Sequence, residues 1–411
     1  MRRLLFFSIF FILYACGPNT NHKEESKVYI QAGSWRGVLV PNDIEIPFIF
    51  QVVDNDNSIS IQLINAEERI PLDEVQIEHD SIHIPMYIFD ATIHARIENG
   101  RLLNGVWVKN YLEDYVVPFE ATFGDIARFT SNSENSNASF DGKWEVDFIS
   151  DEGVEKAIGI FNQREKSISG TFILQSGDYR FLEGIVDGDS MKISCFDGTH
   201  AYLFKARMLA DGRIEGDFWS GKSWHQKWVA RRNDDFELSD PYALTFLKDG
   251  YEKFEIKFPN TAGDLVDLSD ERYKDKVVVV QILGTWCPNC MDETRFYADW
   301  YRKNRNRGVE IIGLAFERKA DVDYASERII KMKEKLGVDY EVLIAGANNP
   351  ESKAEALPII NKLVSFPTTI ILDKEHNVRK IHTGFTGPGT GIYYERFVEE
   401  FNLFMDKLIS E

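Results

Sequence analysis

Two hydrophobic patterns divide the chain. From Val28 to about Arg232, apolar and polar residues alternate in short runs separated by Asn, Asp and Gly, as in Ile44-Glu45-Ile46-Pro47-Phe48-Ile49-Phe50 and Ser81-Ile82-His83-Ile84. Period two sends successive side chains to opposite faces, so these runs predict half-buried antiparallel strands. From about residue 254 the runs lengthen. Val277 to Leu283 is continuously apolar and reads as a buried parallel strand. Met291 to Asn304 has no Pro or Gly and many good helix formers, so it predicts a helix. Beyond it come a strand over Val309 to Phe316 and a helix over Tyr324 to Leu336, closed by Gly337. A strand over Tyr340 to Ile344 and a helix over Glu351 to Leu363, broken at Pro358, follow. Thr369 to Leu372 and Val378 to His382 form an antiparallel hairpin, and Ile392 to Ile409 a final helix.

The alternating region repeats itself at an offset near 110 residues. Gly33-Ser34-Trp35 returns as Gly142-Lys143-Trp144, and Phe89-Asp90 as Phe196-Asp197. Asn99-Gly100 through Trp107 returns as Asp211-Gly212 through Trp219, and Phe119-Glu120-Ala121 as Trp228-Val229-Ala230. Both turn pairs suit tight hairpins. The expected fold class is therefore multidomain: tandem all-β repeats, antiparallel barrels or sandwiches, followed by an α/β domain. The boundaries are β repeats at 28–129 and 140–232, a polar linker at 130–139, a connector at 233–253 and the α/β domain at 254–411. Gly-x-Trp near the start of each repeat resembles the opening of lipocalin-like barrels. The repeated tryptophans read as core plugs, and His79, His83 and His94 lack metal-ligand spacing.

The chemistry sits in Gly284-Thr285-Trp286-Cys287-Pro288-Asn289-Cys290, between the apolar strand and the helix. Two cysteines three apart on a helix share one face, within disulfide reach. Cys287 would stand at the helix N-terminus, where unpaired N–H groups and the dipole favour a thiolate. Pro288 suits the first helical position, which needs no donor. A zinc half-site would need two further ligands, and no second Cys-x-x-Cys or His pair is present. Of the other cysteines, Cys195 lies in a strand-like alternation and reads as an inert buried thiol. The formal net charge of -19 over 411 residues excludes a nucleic-acid partner, since phosphate contacts need a basic face.

The segment from about Phe258 to the C-terminus resembles the TlpA/ResA-like thiol-disulfide oxidoreductases of the thioredoxin superfamily. Four features carry the resemblance: Trp286-Cys287-Pro288-Asn289-Cys290; Glu293, one turn after the second cysteine; Ser365-Phe366-Pro367 followed by a strand, like the family's cis-proline; and an opening hairpin from Phe258-Pro259-Asn260. Gln281 departs from it, standing where thioredoxins often have a buried acid, and so does Arg295, near where relatives often place a helix-kinking Pro. The resemblance implies a thioredoxin fold in which Cys287 attacks a partner disulfide and Cys290 resolves the mixed disulfide. Glu293 would accept the Cys290 proton, and Trp286, Phe366 and Pro367 would border the substrate. It implies no cofactor beyond the redox-active disulfide and no metal. The partners it implies are envelope proteins bearing disulfides or thiols and a membrane electron donor, and it favours a reductase.

Arg2-Arg3 precede an apolar stretch, Leu4 to Leu13, that is short for a membrane span. It ends in Leu13-Tyr14-Ala15-Cys16, which resembles the lipobox of bacterial lipoproteins. This implies a signal peptide at 1–15, lipidation of Cys16 and a tether at 16–27; Gly17 after the cysteine leans to the outer membrane, with the protein facing the periplasm. An ordinary secretory signal or an uncleaved anchor is the alternative. Two functional rivals stand. The β repeats bind an envelope ligand and carry the function, or the domain is a thiol peroxidase. The latter would prefer a Thr three residues before the reactive cysteine, where this chain has Gly284.

Overall fold

In the computed structural model the alternating stretches form a succession of strands, from Gly33–Leu39 to Trp224–Arg232. It describes residues 29–411 apart from 56–57, 125, 132–137 and 252. The signal peptide, Cys16, the tether and the middle of the 130–139 linker lie outside the described residues.

Each β unit is a meander of nine strands. In the first, Gly33–Leu39 pairs with both Ile46–Asp54 and Val116–Phe123. The sheet ends at Glu68–Leu72 on one side and Gln76–Glu78 on the other, and these two edges do not pair, so the sheet stays open. In the second unit Ser167–Leu174 pairs with both Gly153–Arg164 and Leu182–Asp187, which closes the ring into a barrel. Its interior is aromatic: the Phe204 and Phe218 rings stack at 4.2 Å and Phe172 and Phe204 at 4.6 Å, with Trp228 alongside. Each such buried ring contributes roughly 1.5–3 kcal/mol over an exposed one.

The repeat is visible atom by atom. Trp35 and Trp144 are buried, and each indole donates to a carbonyl four residues earlier: Gln31 O at 2.9 Å and Phe140 O at 2.7 Å. Trp107 and Trp228 are also buried plugs. Trp219 is not: it is half-buried and stacks on His225, with Lys205 over its ring. Asn99 and Gly100 both have positive φ in the three-residue loop between the paired Glu98 and Leu102, and Arg101 N donates back to Glu98 O at 3.1 Å. His83 and His94 face each other across adjacent strands, their Nδ1 atoms 2.7 Å apart. The two units pack through Phe48 against Phe196, ring centroids 4.6 Å apart, and through Arg128, which donates to Ile64 O and Glu183.

The C-terminal domain has a five-stranded sheet in the order Glu341–Ala347, Val309–Glu317, Val277–Leu283, Thr368–Leu372, Val378–Thr383. The first three strands are parallel and the last two antiparallel. Val277–Leu283 is central and buried at every residue, which is why its sequence does not alternate. The expected helix over 351–363 is shorter, Pro350–Ala356, with Asn349 capping its start. Pro358 disfavours helical backbone at Leu357, and the helix does not resume beyond the proline.

Candidate redox site

The central strand ends at Leu283, and the chain turns through Gly284 into the helix Pro288–Asn304. The Trp286 indole folds back over Gly284 so closely that a Cβ there would overlap it. Trp286 Nε1 donates to Phe316 O at 2.8 Å. Thr285 donates from its backbone N at 2.9 Å and from Oγ1 at 2.8 Å to the buried Glu317 carboxylate. Burial pushes the Glu317 carboxyl up while these two bonds pull it down. The turn is thus fixed from the neighbouring strand before the helix begins.

Cys287 is the N-cap, its Sγ accepting from Cys290 N at 3.2 Å, and Pro288 takes the first helical position. Cys287 and Cys290 form a disulfide with Cα atoms 5.2 Å apart. Cys290 is fully buried, and Cys287 is 6% exposed. One turn on, Glu293 is fully buried, and among the described residues no cation lies beside it. It accepts from Gln281 Nε2 at 2.9 Å and from Thr369 Oγ1 at 2.9 Å. Burial pushes Glu293 up to about 8, against the downward pull of these hydrogen bonds. Gln281 Nε2 also lies 3.5 Å from Cys290 O, and Gln281 Oε1 accepts from Thr294 and Tyr340. A buried polar chain therefore connects the second cysteine's turn to a carboxyl that is mostly protonated at neutral pH.

The Phe366–Pro367 peptide is cis, and Cys287 Sγ lies 3.6 Å from Phe366 O. Phe366 packs edge-on against Trp286 at 5.3 Å. The six residues singled out around the dithiol thus converge: Trp286 and Phe366 half-buried at the rim, Cys287, Cys290 and Pro367 buried between them, and Glu293 behind.

Other contributors carry no sequence signal. Glu317 is the last residue of an apolar strand. Arg180 comes from the second β unit, just after the short strand Gly177–Asp178, yet its Nη1 donates to Pro288 O at 3.1 Å. It is buried and paired with Asp292 and Glu68, with Asp197 at 3.9 Å. Burial works against its charge, but Asp292, Glu68, Asp197 and Asp178 outweigh it and hold the guanidinium above its ordinary range. The repeated Phe-Asp pairs both meet the redox domain, Asp197 through Arg180 and Asp90 through Tyr324 Oη at 3.1 Å. Only their recurrence hinted at a shared task. Cys195 is free and buried, its thiol pushed well up, first by burial and then by Asp197 and Glu68.

Residues 249–381 match the AhpC/TSA family. The chain is 25% identical over 138 residues to the thiol-disulfide oxidoreductase ResA of Bacillus subtilis (strain 168), covering 34% of this chain and 69% of that protein. It is 28% identical over 140 residues to ResA of Geobacillus thermodenitrificans (strain NG80-2), covering 32% and 73%. Among solved structures it is similar to a thiol-disulfide isomerase from Corynebacterium glutamicum, at 19% identity and a TM-score of 0.32, covering 40% of this chain and 99% of that one. It is also similar to the thioredoxin domain of a thiol-disulfide oxidoreductase from Bacteroides vulgatus, at 23% and 0.28, covering 37% and 99%. The C-terminal domain is thus similar in sequence to the thioredoxin-like thiol-disulfide oxidoreductases of the ResA kind.

Proposed function

We propose that the chain reduces disulfides of cell-envelope proteins by dithiol exchange through Cys287 and Cys290. The observation that carries this is the placement of Cys287 at a helix N-cap with Glu293 buried one turn behind Cys290. In the reduced protein the Cys287 thiolate attacks one sulfur of a partner disulfide; that S–S bond breaks, and the other partner sulfur leaves as a thiolate and takes a proton from water. Cys290 then gives its proton to Glu293 in the fraction of molecules where that carboxyl is ionised, a fraction that grows as pH rises toward 8, and attacks Cys287 Sγ. The mixed disulfide breaks, and the second partner thiol departs. The partner gains two electrons and the pair is left as the Cys287–Cys290 disulfide, which a membrane electron donor returns to the dithiol.

A Glu293 carboxyl near 8 matches an ordinary thiol near ~8.5, so the proton moves between groups of similar affinity. Phe366 beside cis-Pro367 and Trp286 on the other side supply backbone and ring surface for the partner strand. The amino-terminal Arg2-Arg3, apolar stretch and Cys16 support an exported, lipid-anchored protein, with the outer membrane as its site and the periplasm as its compartment. Among the described residues no helix is long and apolar enough to cross a membrane. On this reading the closed barrel of the second β unit is filled by its own aromatic core.

The test is a Cys290→Ser variant produced in the envelope. It should accumulate mixed disulfides through Cys287, visible on non-reducing electrophoresis and lost in a Cys287→Ser, Cys290→Ser double variant. Recovering none would overturn the proposal. The equilibrium potential of the pair then fixes direction: a value near thioredoxin's, around −270 mV, supports a reductase, and one far higher an oxidase or isomerase.

A further inference from the structure

Cys287 is 6% exposed, yet exchange needs a foreign disulfide to reach its sulfur. Segments of both β units lie beside the dithiol turn. Loop 175–181 of the second β unit lies along three segments of that domain: the tip of the dithiol turn, the approach to Pro367, and residues 384–391. Gly177 sits against Asn289, between the two cysteines, where a Cβ would overlap the Asn289 amide. Ser176 O accepts from Ser365 Oγ at 2.7 Å, one residue from the Phe366 carbonyl that faces Cys287. Asp178 accepts from Gly387 N at 2.7 Å, and Arg180 donates to Pro288 O. On the far side, Arg318 lies between Trp286 and Tyr111 of the first β unit, 5.1 and 4.1 Å from the ring centroids.

From this geometry we infer that loop 175–181 is the specificity-determining element of the dithiol: a docked cover that passes small reagents and admits a protein disulfide only when it lifts. The inference rests on the dithiol reading above and deepens it. Two features make the loop a cover and not a fixed wall. The contacts by which it is held to the redox domain are hydrogen bonds and ion pairs. Beside it, a crevice of about 410 Å³ separates the second β unit from the redox domain, lined by Leu174, Gln175, Tyr242, His382 and Phe385 among others. The barrel interior is an apolar cluster of its own, separate from both apolar clusters of the redox domain. Reaction with a bulky partner is then slowed by the fraction of time the cover is open.

The experiment compares Cys287 alkylation in the reduced full-length chain by N-ethylmaleimide and by a polyethylene-glycol maleimide, read by mass shift. Relative to the same two reagents on a free thiol, the bulky one should be disfavoured by at least a further tenfold. Gly177→Val wedges the loop away from Asn289 and should remove most of that excess discrimination. Arg180→Gln loosens the same cover through its charges; should it fail to fold, Gly177→Val reports with the charge nest intact. Equal discrimination in the wild type and on a free thiol would overturn the inference. So would an unchanged ratio in a natively folded Gly177→Val protein. Failure of the dithiol reading looks different: the reduced wild type would then reduce neither a small aromatic disulfide nor a protein one, whatever the alkylation ratio.

Discussion

Inside the redox domain Glu293 is buried with hydrogen bonds and, among the described residues, no counter-charge, while at the junction with the β units Arg180 is buried among carboxylates. Both touch the same helix, Glu293 from within it and Arg180 through Pro288 and Asp292. A buried carboxyl with only neutral partners gives up its charge by keeping a proton, and so becomes a group that can pass one on. A buried guanidinium cannot give up its charge, so it gathers anions and becomes a fastener. The two regions show that the company a buried ionisable group keeps decides whether it does chemistry or holds surfaces together.

The contrast can be broken from either side, and the largest effect is expected at the junction. Arg180→Met takes the shared cation from Glu68, Asp292 and Asp197, leaving Asp292 only Arg295 and Asp197 only His200 among the described residues, and should cost about 3–5 kcal/mol of stability, measured as a fall in the calorimetric transition of the full chain. Glu293→Gln comes next. The Glu293 pKa is raised from 4.5 to about 8, so the folded state keeps a proton that the unfolded chain loses in that window. The stability it contributes is whole below about 4.5 and is lost as pH rises through about 8. Glu293→Gln should flatten that pH slope, slow mixed-disulfide resolution by about a hundredfold and erase its inflection near 8, as read in stopped-flow profiles. A third and smaller change is Tyr324→Phe, which deletes the hydrogen bond to Asp90 and should cost about 1 kcal/mol. Smallest is Lys335→Ala at the Asp73 and Glu74 pairs, where the loss should stay under about 1 kcal/mol and shrink as salt is added. An Arg180→Met protein as stable as the wild type would dissolve the contrast.

Local patterns in the chain announce everything that depends on neighbours in sequence. The apolar run ending at Leu283, the Cys-x-x-Cys spacing, the Asn99-Gly100 turn and the indole pairs Trp35 and Trp144 all encode their geometry within a few residues. Glu293 was legible through its position one turn after Cys290, though its full burial was not, because that depends on Thr369 and Gln281 from other strands. Arg180 and Glu317 were invisible for the same reason. Arg180 meets Asp292 across 112 positions of chain, and a polar residue between strands looks the same whether it ends in water or in a buried nest. Trp219 shows the reverse error: its repeat position matches the buried Trp107, but His225 and Lys205 hold its ring at the surface.

The first β unit's failure to close has its own consequence. Its duplicate zips into a ring, whereas here the seam between Glu68–Leu72 and Gln76–Glu78 stays parted. The residues spanning that seam include Asp73 and Glu74, which grip Lys331 and Lys335, and its border strand supplies Glu68 to Arg180. An unpaired edge is ordinarily an invitation to stray strands, and here it is spent on a clasp for the helix Val322–Leu336. Stitching the seam shut would make a tidier barrel and withdraw the handle by which that unit holds its partner domain.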